Sequence, residues 1–360
     1  MTFPAVWSEL HRLHDSEGEI WVGVRIPGDE RPARADVILG AVEDYGCAVV
    51  EAVAHPDDLL RRVHDPAMVD YMGSAHERWV AAGYPVEPGQ DRVVPYAFPL
   101  PQVTAGLPRR VPASAAAMAG VYGMDTMTSI GPGTYRAARA AVDVAITAAE
   151  VVAAGAPMAY AICRPPGHHA GRDYFGGSCY LNNAAIAVET LLAAGIDRVA
   201  VVDLDAHHGN GTQHLFYERP DVFYGSVHVD PGAGWFPHFA GFADERGAGA
   251  GLGSNVNRPL APGSGDGDWL AAVDELAEAA GRHGAGGLVV SLGVDAAADD
   301  PESPLLVTGD GFRGAGQRLA DLGMPTVFVQ EGGYHLATLG ELVVAALGGF
   351  HQAVASGQPA

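Results

Sequence analysis

The sequence predicts an α/β protein: a single domain built on an open parallel β-sheet with helices on both faces. Apolar, β-branched stretches alternate with helical patterns through most of the 360 residues, which is typical of parallel strands joined by helices. The hydrophobic fraction of 48% is ample for one sizeable core. Open sheets of this class bind ligands at the carboxyl ends of their strands, so we expect the active site there.

Five strands and five helices stand out along the chain, without an internal repeat. The predicted strands lie at residues 158–163, 199–203, 222–229, 287–292 and 326–329. The predicted helices lie at residues 135–154, 181–194, 269–281, 309–322 and 336–347.

Chemically active side chains follow the first and the last of these strands. His168 and His169 follow the first strand, in a loop stiffened by proline and glycine. Adjacent histidines at a strand end indicate metal-binding or acid–base chemistry, and solvated or hydrogen-bonded side chains are the alternative. After the last strand, two glycines let the backbone approach a site closely. Tyr334 then presents its hydroxyl there, or is a half-buried turn residue.

Two further strands end in candidate metal ligands. The strand at 199–203 ends in Asp203, and Asp205 and His207 follow directly. One oxygen and one nitrogen ligand suit a divalent ion of the zinc type. Asp295, just after the strand at 287–292, is the best candidate for a third ligand. For the Asp-x-His pair alone, the alternative is a polar strand end that caps the next helix.

Composition argues against several classes of function. With 21 basic and 43 acidic residues, the net charge is −22, and nucleic-acid binding needs a basic surface. Without an unbroken apolar run of about 18 residues, we expect no membrane span, and the amino terminus does not resemble a secretory signal. Cys47, Cys163 and Cys179 are odd in number and widely spaced, which favours reduced thiols in a cytoplasmic protein.

Two loop-like stretches need separate explanations. Residues 247–253 are Gly-Ala-Gly-Ala-Gly-Leu-Gly, but a dinucleotide-binding fingerprint needs a helix after the glycines. The polar residues that follow, interrupted by Pro259, favour a flexible turn instead. Residues 84–112 are rich in proline and glycine and lack periodicity, so they form a functional loop or an interface element.

Together the strand-end segments resemble the histone deacetylase and acetylpolyamine amidohydrolase superfamily, with bacterial acetylpolyamine amidohydrolases most similar. The resemblance extends over nearly the whole chain and implies one deacetylase-like catalytic domain at residues 1–360. The segments that carry it are Arg-Pro-Pro-Gly-His-His-Ala-Gly (164–171), Phe-Gly-Gly (175–177), Leu-Asn-Asn-Ala-Ala (181–185), Asp-x-Asp-x-His-His-Gly-Asn-Gly-Thr-Gln (203–213), Phe-Tyr-Glu-Arg (216–219), Phe-Pro-His-Phe (236–239), Ser-Leu-Gly-Val-Asp (291–295) and Glu-Gly-Gly-Tyr (331–334).

The resemblance implies a metal-dependent hydrolase of linear amides with one Zn²⁺ per subunit. Asp205, His207 and Asp295 would hold the ion and leave positions open for water and a substrate carbonyl. Arginase-like ureohydrolases share the sheet topology but bind two manganese ions. Gly209 and Gly293 stand where their additional aspartates would be, so a single-metal site follows.

The resemblance also implies the catalytic roles. His169 would act as general base and then as general acid, and His168 would give electrostatic support. Asp203 would orient His168, and Asn210 would orient His169. Tyr334 would donate a hydrogen bond to the oxyanion.

A potassium ion near the metal is a further implication of the family. The residues that match its site are Asp203, Asp205, His207, Ser226 and Val227. Potassium there would stiffen the Asp-x-His loop.

The family binds the acyl group in a narrow tunnel, and three residues here match its walls. Phe236 matches one aromatic wall, and the backbone of Gly177 would contact the substrate. Ser178 stands where many relatives have the opposite aromatic wall. This difference predicts a wider or more polar channel.

The rim of the tunnel gives the substrate prediction. Glu302 matches a glutamate of a polyamine-preferring relative, and a solvated loop residue is the alternative. Glu19 matches another acidic position near the amino terminus. Acidic residues that bacterial relatives carry before residue 131 are Ala116 and Met127 here, with Asp125 as a candidate replacement.

The predicted function is a cytoplasmic zinc amidohydrolase that removes acetyl or a short acyl group from aliphatic amines, acetylated polyamines being favoured. The predicted partners are a small-molecule acylated amine and a second copy of the chain, with no nucleic acid and no membrane. The loop at 84–112 would cross the homodimer interface. The alternatives are a protein acetyl-lysine deacetylase with the same chemistry and a non-catalytic acyl-amine binding protein.

Overall fold

The computed structural model describes residues 2–87, 91–108 and 110–357, and its centre is an eight-stranded sheet. The strands of this sheet are β1 (Pro4–Trp7), β4 (Ala48–Glu51), β5 (Met158–Ala161), β6 (Val199–Asp203), β7 (Val222–Val229), β8 (Asn255–Leu260), β9 (Gly287–Leu292) and β10 (Thr326–Gln330). Their order is β4-β1-β5-β10-β9-β6-β7-β8, and every neighbouring pair is parallel. The strands β2 (Glu19–Trp21) and β3 (Val24–Ile26) form a separate antiparallel hairpin.

Helices cover both faces of the main sheet. They are α1 (Ala33–Tyr45), α2 (Asp58–Val63), α3 (Pro66–Ala81), α4 (Pro101–Thr104), α5 (Ala115–Tyr122), α6 (Thr134–Ala153), α7 (Asn183–Ala193), α8 (Asn210–Phe216), α9 (Asp266–His283), α10 (Gly309–Ala320) and α11 (Leu336–Ser356). The parallel sheet between two helical layers confirms the fold class that the sequence predicts.

Strand alternation divides the core between these two layers. In β6, Val199 and Val201 pack into the cluster formed with α2, α3, α5, α6 and α7. Ala200 and Val202 pack into the opposite cluster, with α1, α9, α10 and α11. Because successive side chains point to opposite faces, a central strand buried on both sides is an almost continuous apolar run.

Helix α9 illustrates how local sequence sets an element's ends. Asp266 and Asp268 lie in its first turn, and Arg282 and His283 lie in its last. Both pairs complement the helix dipole. Gly284 ends the helix in the left-handed conformation, with φ of 75°, which glycine adopts without a steric penalty.

The five predicted strands and five predicted helices are all present, with some different bounds. Strand β5 ends at Ala161, two residues before the predicted end, because the Cys163 amide donates to the Ala161 carbonyl in a turn. Helix α11 continues to Ser356, past the predicted end at residue 347.

The segment after the glycine-rich stretch was not predicted as a strand, and it forms β8. Gly249–Gly251 is one turn of 3₁₀ helix, and β8 follows it rather than a helix. This arrangement agrees with a turn and not with a dinucleotide-binding fingerprint. Strand β8 tolerates Pro259 because it lies at the edge of the sheet.

Helix α11 is, in the described residues, long and apolar enough by length and composition to cross a membrane. Its most apolar window is 56% buried within the protein, where it packs against α1 and α10. Core helices pass the same test. Cys47, Cys163 and Cys179 are free thiols.

The proline-rich stretch at 84–112 contains helix α4 and a series of exposed apolar side chains. Residues 88–90 and 109 of the stretch lie outside the described residues. The exposed side chains are Val86, Tyr96, Phe98, Leu100, Val103, Leu107 and Val111. Such an accumulation of exposed apolar surface is unusual for a monomer and indicates an interaction site.

Candidate active site

Asp205, His207 and Asp295 meet at the carboxyl edge of the sheet. Strands β6 and β9 are neighbours in the sheet, so the loops that follow them lie side by side. The Nδ1 atom of His207 is 3.0 Å from Oδ2 of Asp295 and 3.3 Å from Oδ1 of Asp205. The potential ligand atoms of the three residues all lie within 4.8 Å of one another.

These donor atoms fit a metal ion. Ligands at about 2.0 Å from a tetrahedral zinc ion are separated by about 3.3 Å. Both carboxylates are buried, and burial, reinforced by the charge of Asp205, raises the pKa of Asp295 to about 7. A cation between the two would remove this conflict. The outer oxygen atoms are held by backbone donors, since the amides of Gly332 and Ala206 donate to Asp205 and Asp295 at 2.8 Å.

Two glycines lie against buried carboxylates at this edge of the sheet. A Cβ atom built at Gly293 would lie 2.1 Å from Oδ2 of Asp205, so the position requires glycine. Gly209 is similarly crowded by Asp203. Both glycines therefore let the backbone pass close to carboxylates, and neither has a side chain that could bind a second ion.

A second group of potential ligands, His168, Cys179 and Glu331, lies next to the first. Glu331 already accepts hydrogen bonds from the amides of Gly167 and His168. Burial raises the pKa of the Cys179 thiol well above its ordinary value, which keeps it protonated. We therefore regard this group as support for the histidine loop.

The two histidines of the 164–171 loop have different partners. His168 Nδ1 lies 3.1 Å from a carboxylate oxygen of Asp203, and His169 Nδ1 lies 2.8 Å from the amide oxygen of Asn210. Because an amide oxygen only accepts, His169 carries its proton on Nδ1, and Nε2 is left as an acceptor. Asp203 and Asn210 thus lie where the sequence places them.

Nearby carboxylates and burial shift the pKa values of the two rings in opposite directions. Burial alone would lower the pKa of His168, but Asp205 and Asp203 outweigh it and raise the value to about 10. Burial, followed by the positive charge of His168, lowers the pKa of His169 well below its ordinary value. The pair therefore consists of a cation and a neutral base.

Tyr334 faces the same cavity from the loop after β10. Its backbone amide donates to Oδ2 of Asp300 at 2.7 Å, and the guanidinium of Arg34 lies 4.6 Å from the centre of its ring. Burial raises the pKa of the Tyr334 phenol well above its ordinary value, so the phenol remains a hydrogen-bond donor.

A cavity of about 510 Å³ leads from the surface to this group. Its lining includes His169, His207 and Tyr334 at the inner end. The other predicted substrate-contacting residues that line it are Gly177, Ser178, Phe236, Glu19 and Glu302. Asp29 and Glu30 line it as well, and the sequence did not single them out. Among the described lining residues there is no lysine or arginine.

Phe236, Gly177 and Ser178 form part of the cavity wall. The Phe236 ring stands edge-on to His169, with centroids 4.8 Å apart. Gly177 has a φ of 55°, and a Cβ atom there would lie 2.4 Å from the His169 ring. Only glycine permits this close approach of backbone to imidazole. Ser178 leaves the facing wall small and polar.

Asp125, considered above as a rim carboxylate, has a different position. Its oxygen atoms accept hydrogen bonds from the amides of Gly177, Met127 and Thr128 at 2.6–2.9 Å. It therefore supports the Gly177 wall and does not face the cavity. The prediction that Asp125 replaces a substrate-binding carboxylate is wrong, because its oxygens are used by the backbone.

The residues matched to the potassium site also lie together. Strands β6 and β7 place Asp203 opposite Ser226, and Val227 follows in the same strand. All three are buried at the carboxyl edge of the sheet.

The fold and this constellation of side chains identify the family. A model of the histone deacetylase domain matches residues 29–350, and the chain therefore belongs to the histone deacetylase family. This confirms the resemblance seen in the sequence.

Several relatives show where in the family the chain lies. It is 42% identical to acetylpolyamine amidohydrolase 1 of Pseudomonas aeruginosa, over 97% of this chain and 99% of that protein. It is 40% identical to the acetylpolyamine amidohydrolase of Mycoplana ramosa, over 93% of this chain and 96% of the relative. The crystal structure of an acetylpolyamine aminohydrolase from Burkholderia pseudomallei superposes with a TM-score of 0.91 and 39% identity, covering 98% of this chain and 99% of that one.

Removal of one ligand provides the test of the metal site. We expect Asp295→Asn to weaken Zn²⁺ binding by more than about 100-fold, because the amide keeps the shape and loses the charge. Titration of metal-depleted protein in competition with a chelator measures the change. The matched control is Asp299→Asn, a half-exposed carboxylate four residues away that pairs with His335. Equal losses in both variants would refute the assignment.

Proposed function

We propose that this protein is a zinc-dependent deacetylase that removes acetyl or a related short acyl group from aliphatic amines, with acetylated polyamines as its favoured substrates. One observation carries the proposal. A single cavity has a metal-ligand group, a neutral histidine and a tyrosine at its inner end, and carboxylates without lysine or arginine among its described lining residues.

The inner end of the cavity holds the groups that amide hydrolysis requires. A bound Zn²⁺ would polarise the amide carbonyl and make its water acidic. His169, with Nε2 free, accepts the proton of the attacking water and then passes it to the leaving amine. Tyr334 donates a hydrogen bond to the oxyanion, and the positively charged His168 stabilises the negative charge that develops nearby.

The outer part of the cavity favours a cationic amine. Burial, reinforced by the charge of Glu302, raises the pKa of Glu19 to about 7. Burial also raises the pKa of Glu302. Asp29, which sequence analysis missed, lies beside Glu302 and adds to the negative potential. A polyamine ammonium group between these carboxylates would relieve their mutual repulsion.

We propose potassium as a structural ion at the group that includes Ser226. His228 Nε2 lies 2.8 Å from the Gly241 carbonyl and must donate to it, so Nδ1 accepts the Ser226 hydroxyl proton at 2.8 Å. This directs the Ser226 lone pairs away from His228 and makes them available to a cation. The buried Asp203 carboxylate, opposite Ser226 in the sheet, is a second oxygen ligand of the kind such a site needs.

A protein acetyl-lysine deacetylase is the second candidate. Ser178 favours it, because a small polar wall leaves the channel more open than an aromatic one would. A non-catalytic binding protein is a weaker candidate, since it would have no use for the Asn210–His169 pair or for Tyr334.

We further propose a cytoplasmic homodimer. The exposed side chains of the 84–112 stretch are continuous with those of the β2–β3 hairpin, since Phe98, Trp21, Val22 and Phe239 line one groove. A second copy of the chain that covers this groove would bury these exposed apolar side chains, and contiguous exposed apolar patches commonly mark interaction sites. The free cysteines suit a reducing compartment.

Loss of the tyrosine hydroxyl tests the chemistry. We expect Tyr334→Phe to lower kcat on acetylputrescine by about 10²–10³-fold, because the oxyanion loses a donor. KM and metal content should change little. The control is Tyr45→Phe, which removes a hydroxyl that contacts His351 on α11, away from the cavity. Retained turnover in Tyr334→Phe would contradict the proposed role.

Loss of the rim carboxylate tests the substrate class. The wild-type protein should turn over acetylspermidine faster than acetyl-lysine peptides. Glu302→Leu should lower kcat/KM for acetylspermidine by about fivefold, the equivalent of ~1 kcal/mol for a partly exposed ion pair, while peptide turnover holds or rises. Glu278→Leu, on the exposed face of α9, is the control. A wild-type preference for peptides would favour the second candidate, and an unchanged ratio would remove Glu302 from substrate binding.

Introducing aspartates into the proposed interface tests whether the protein is a homodimer. We expect the double variant Val103→Asp and Leu107→Asp to be monomeric in sedimentation experiments in which the wild type is dimeric, because burying carboxylates in an apolar interface is costly. Leu252→Asp, equally exposed but on the 247–253 turn, should remain dimeric. A monomeric wild type or a dimeric double variant would contradict the proposal.

A further inference from the structure

Glu30 is a buried carboxylate placed between two buried arginines. Its Oε1 lies 3.0 Å from Nη1 of Arg34 and 2.8 Å from Nε of Arg164. Its Oε2 accepts a hydrogen bond from Nη2 of Arg164 at 3.0 Å. His14 approaches the same oxygen at 3.4 Å. Both guanidinium groups therefore share one anion.

Arg34 uses its other nitrogens to hold the loop that carries Tyr334. Its Nε donates to the Gly333 carbonyl and its Nη2 to the Glu331 carbonyl, both at 2.6 Å. These carbonyls flank the Gly-Gly pair before Tyr334. The guanidinium also lies 4.6 Å from the centre of the Tyr334 ring. One side chain thus fixes both the backbone and the ring.

Arg164 opens the loop that carries the two histidines. It precedes His168 by four residues, and its Nη1 donates to the carbonyls of His11 and His14 at 2.7 Å. The middle of that loop is held by Glu331, which accepts from the amides of Gly167 and His168. The histidine loop and the tyrosine loop are therefore joined from both sides.

The charges around Glu30 are consistent with a permanent anion. Burial alone would raise the pKa of Glu30, but Arg164, His14 and Arg34 outweigh it and hold the value well below the ordinary range. Burial lowers the pKa of His14, and that of His11 to about 4. The net arrangement is one anion shared by two cations, so removal of its charge leaves two buried arginines without a counterion.

We infer that Glu30, Arg34 and Arg164 form a clamp that sets the position of Tyr334 relative to His169. The side-chain hydrogen bonds and ion pairs described above join the three to one another, to His14 and to loop carbonyls, so they act as positioning residues. The kinetic part of this inference rests on the proposed deacetylase function. The geometric part does not, because it concerns only how two loops are held together.

Hydrogen exchange followed by mass spectrometry tests the geometric part on the full-length protein. Glu30→Gln should raise exchange at least about threefold in both segments 167–171 and 331–337, because the shared anion is lost. Arg34→Lys keeps a positive charge but cannot reach both carbonyls, and should raise exchange only in 331–337. Arg139→Lys is the control, since this arginine pairs with Asp57 and Asp143 away from the cavity lining, and it should affect neither segment. Unchanged exchange in Arg34→Lys, or an equal increase across the whole sheet, would overturn the clamp even if Glu30→Gln does not fold.

A double-mutant cycle tests whether Arg34 acts through Tyr334. Arg34→Lys should lower kcat on acetylputrescine about tenfold with KM within about threefold, and in the Tyr334→Phe background it should lower kcat less than about threefold. Equal losses in both backgrounds would show a general structural effect and overturn the positioning role. Absence of wild-type turnover on any acetylated amine would refute the proposed function, and hydrogen exchange would then decide the clamp alone.

Discussion

The buried carboxylates of Asp205 and Asp295, facing one imidazole, are the constraint on which the rest of the active-site edge depends. Removing a carboxylate from water costs several kcal/mol after relaxation unless a cation and hydrogen bonds compensate. The chain supplies part of this compensation through the amides of Ala206 and Gly332. The remainder calls for a metal ion, and the glycines around the group leave room for the carboxylates.

Sheet topology explains why these carboxylates meet. After β6 the chain adds β7 and β8 on one side, and it then returns to place β9 and β10 on the other. The loops after β6 and β9 therefore separate in opposite directions and leave a crevice, which is where open α/β sheets bind ligands. Strands β10 and β5 are next in order and carry Tyr334 and the histidine loop. Four sequence-distant segments reach one point because four neighbouring strands end there.

The sequence predicts this part of the molecule well because its signals are local. Apolar runs buried on both faces and followed by polar residues mark β5, β6, β9 and β10. Strands β1 and β4 were not identified because neither is a fully buried apolar run: only two of the four residues of β1 are buried, and none of the four residues of β4 is. Strand β8 was missed because Asn255, Asn257 and Pro259 do not resemble a strand, and only its edge position makes them acceptable.

The supporting residues were beyond sequence reasoning for a physical reason. Arg34 and Arg164 are charged residues that ordinarily lie on the surface, and nothing in their neighbours indicates that both are buried against Glu30. Their contacts span up to 299 positions of the chain. Asp125 shows the reverse error, because its sequence position suggested a rim carboxylate while its oxygens serve the backbone of Gly177.

The paired histidines show how the groups around each ring determine its pKa. His168 and His169 are adjacent, equally buried, and part of the same constrained loop. The carboxylates of Asp205 and Asp203 raise the pKa of His168 against burial, whereas burial, followed by the charge of His168, lowers the pKa of His169. Pairs of titratable groups separated in this way define acid–base roles in enzyme active sites. The Asn210 amide is informative for a different reason: it fixes the proton of His169 on Nδ1, so that this neutral ring has Nε2 available to take a proton.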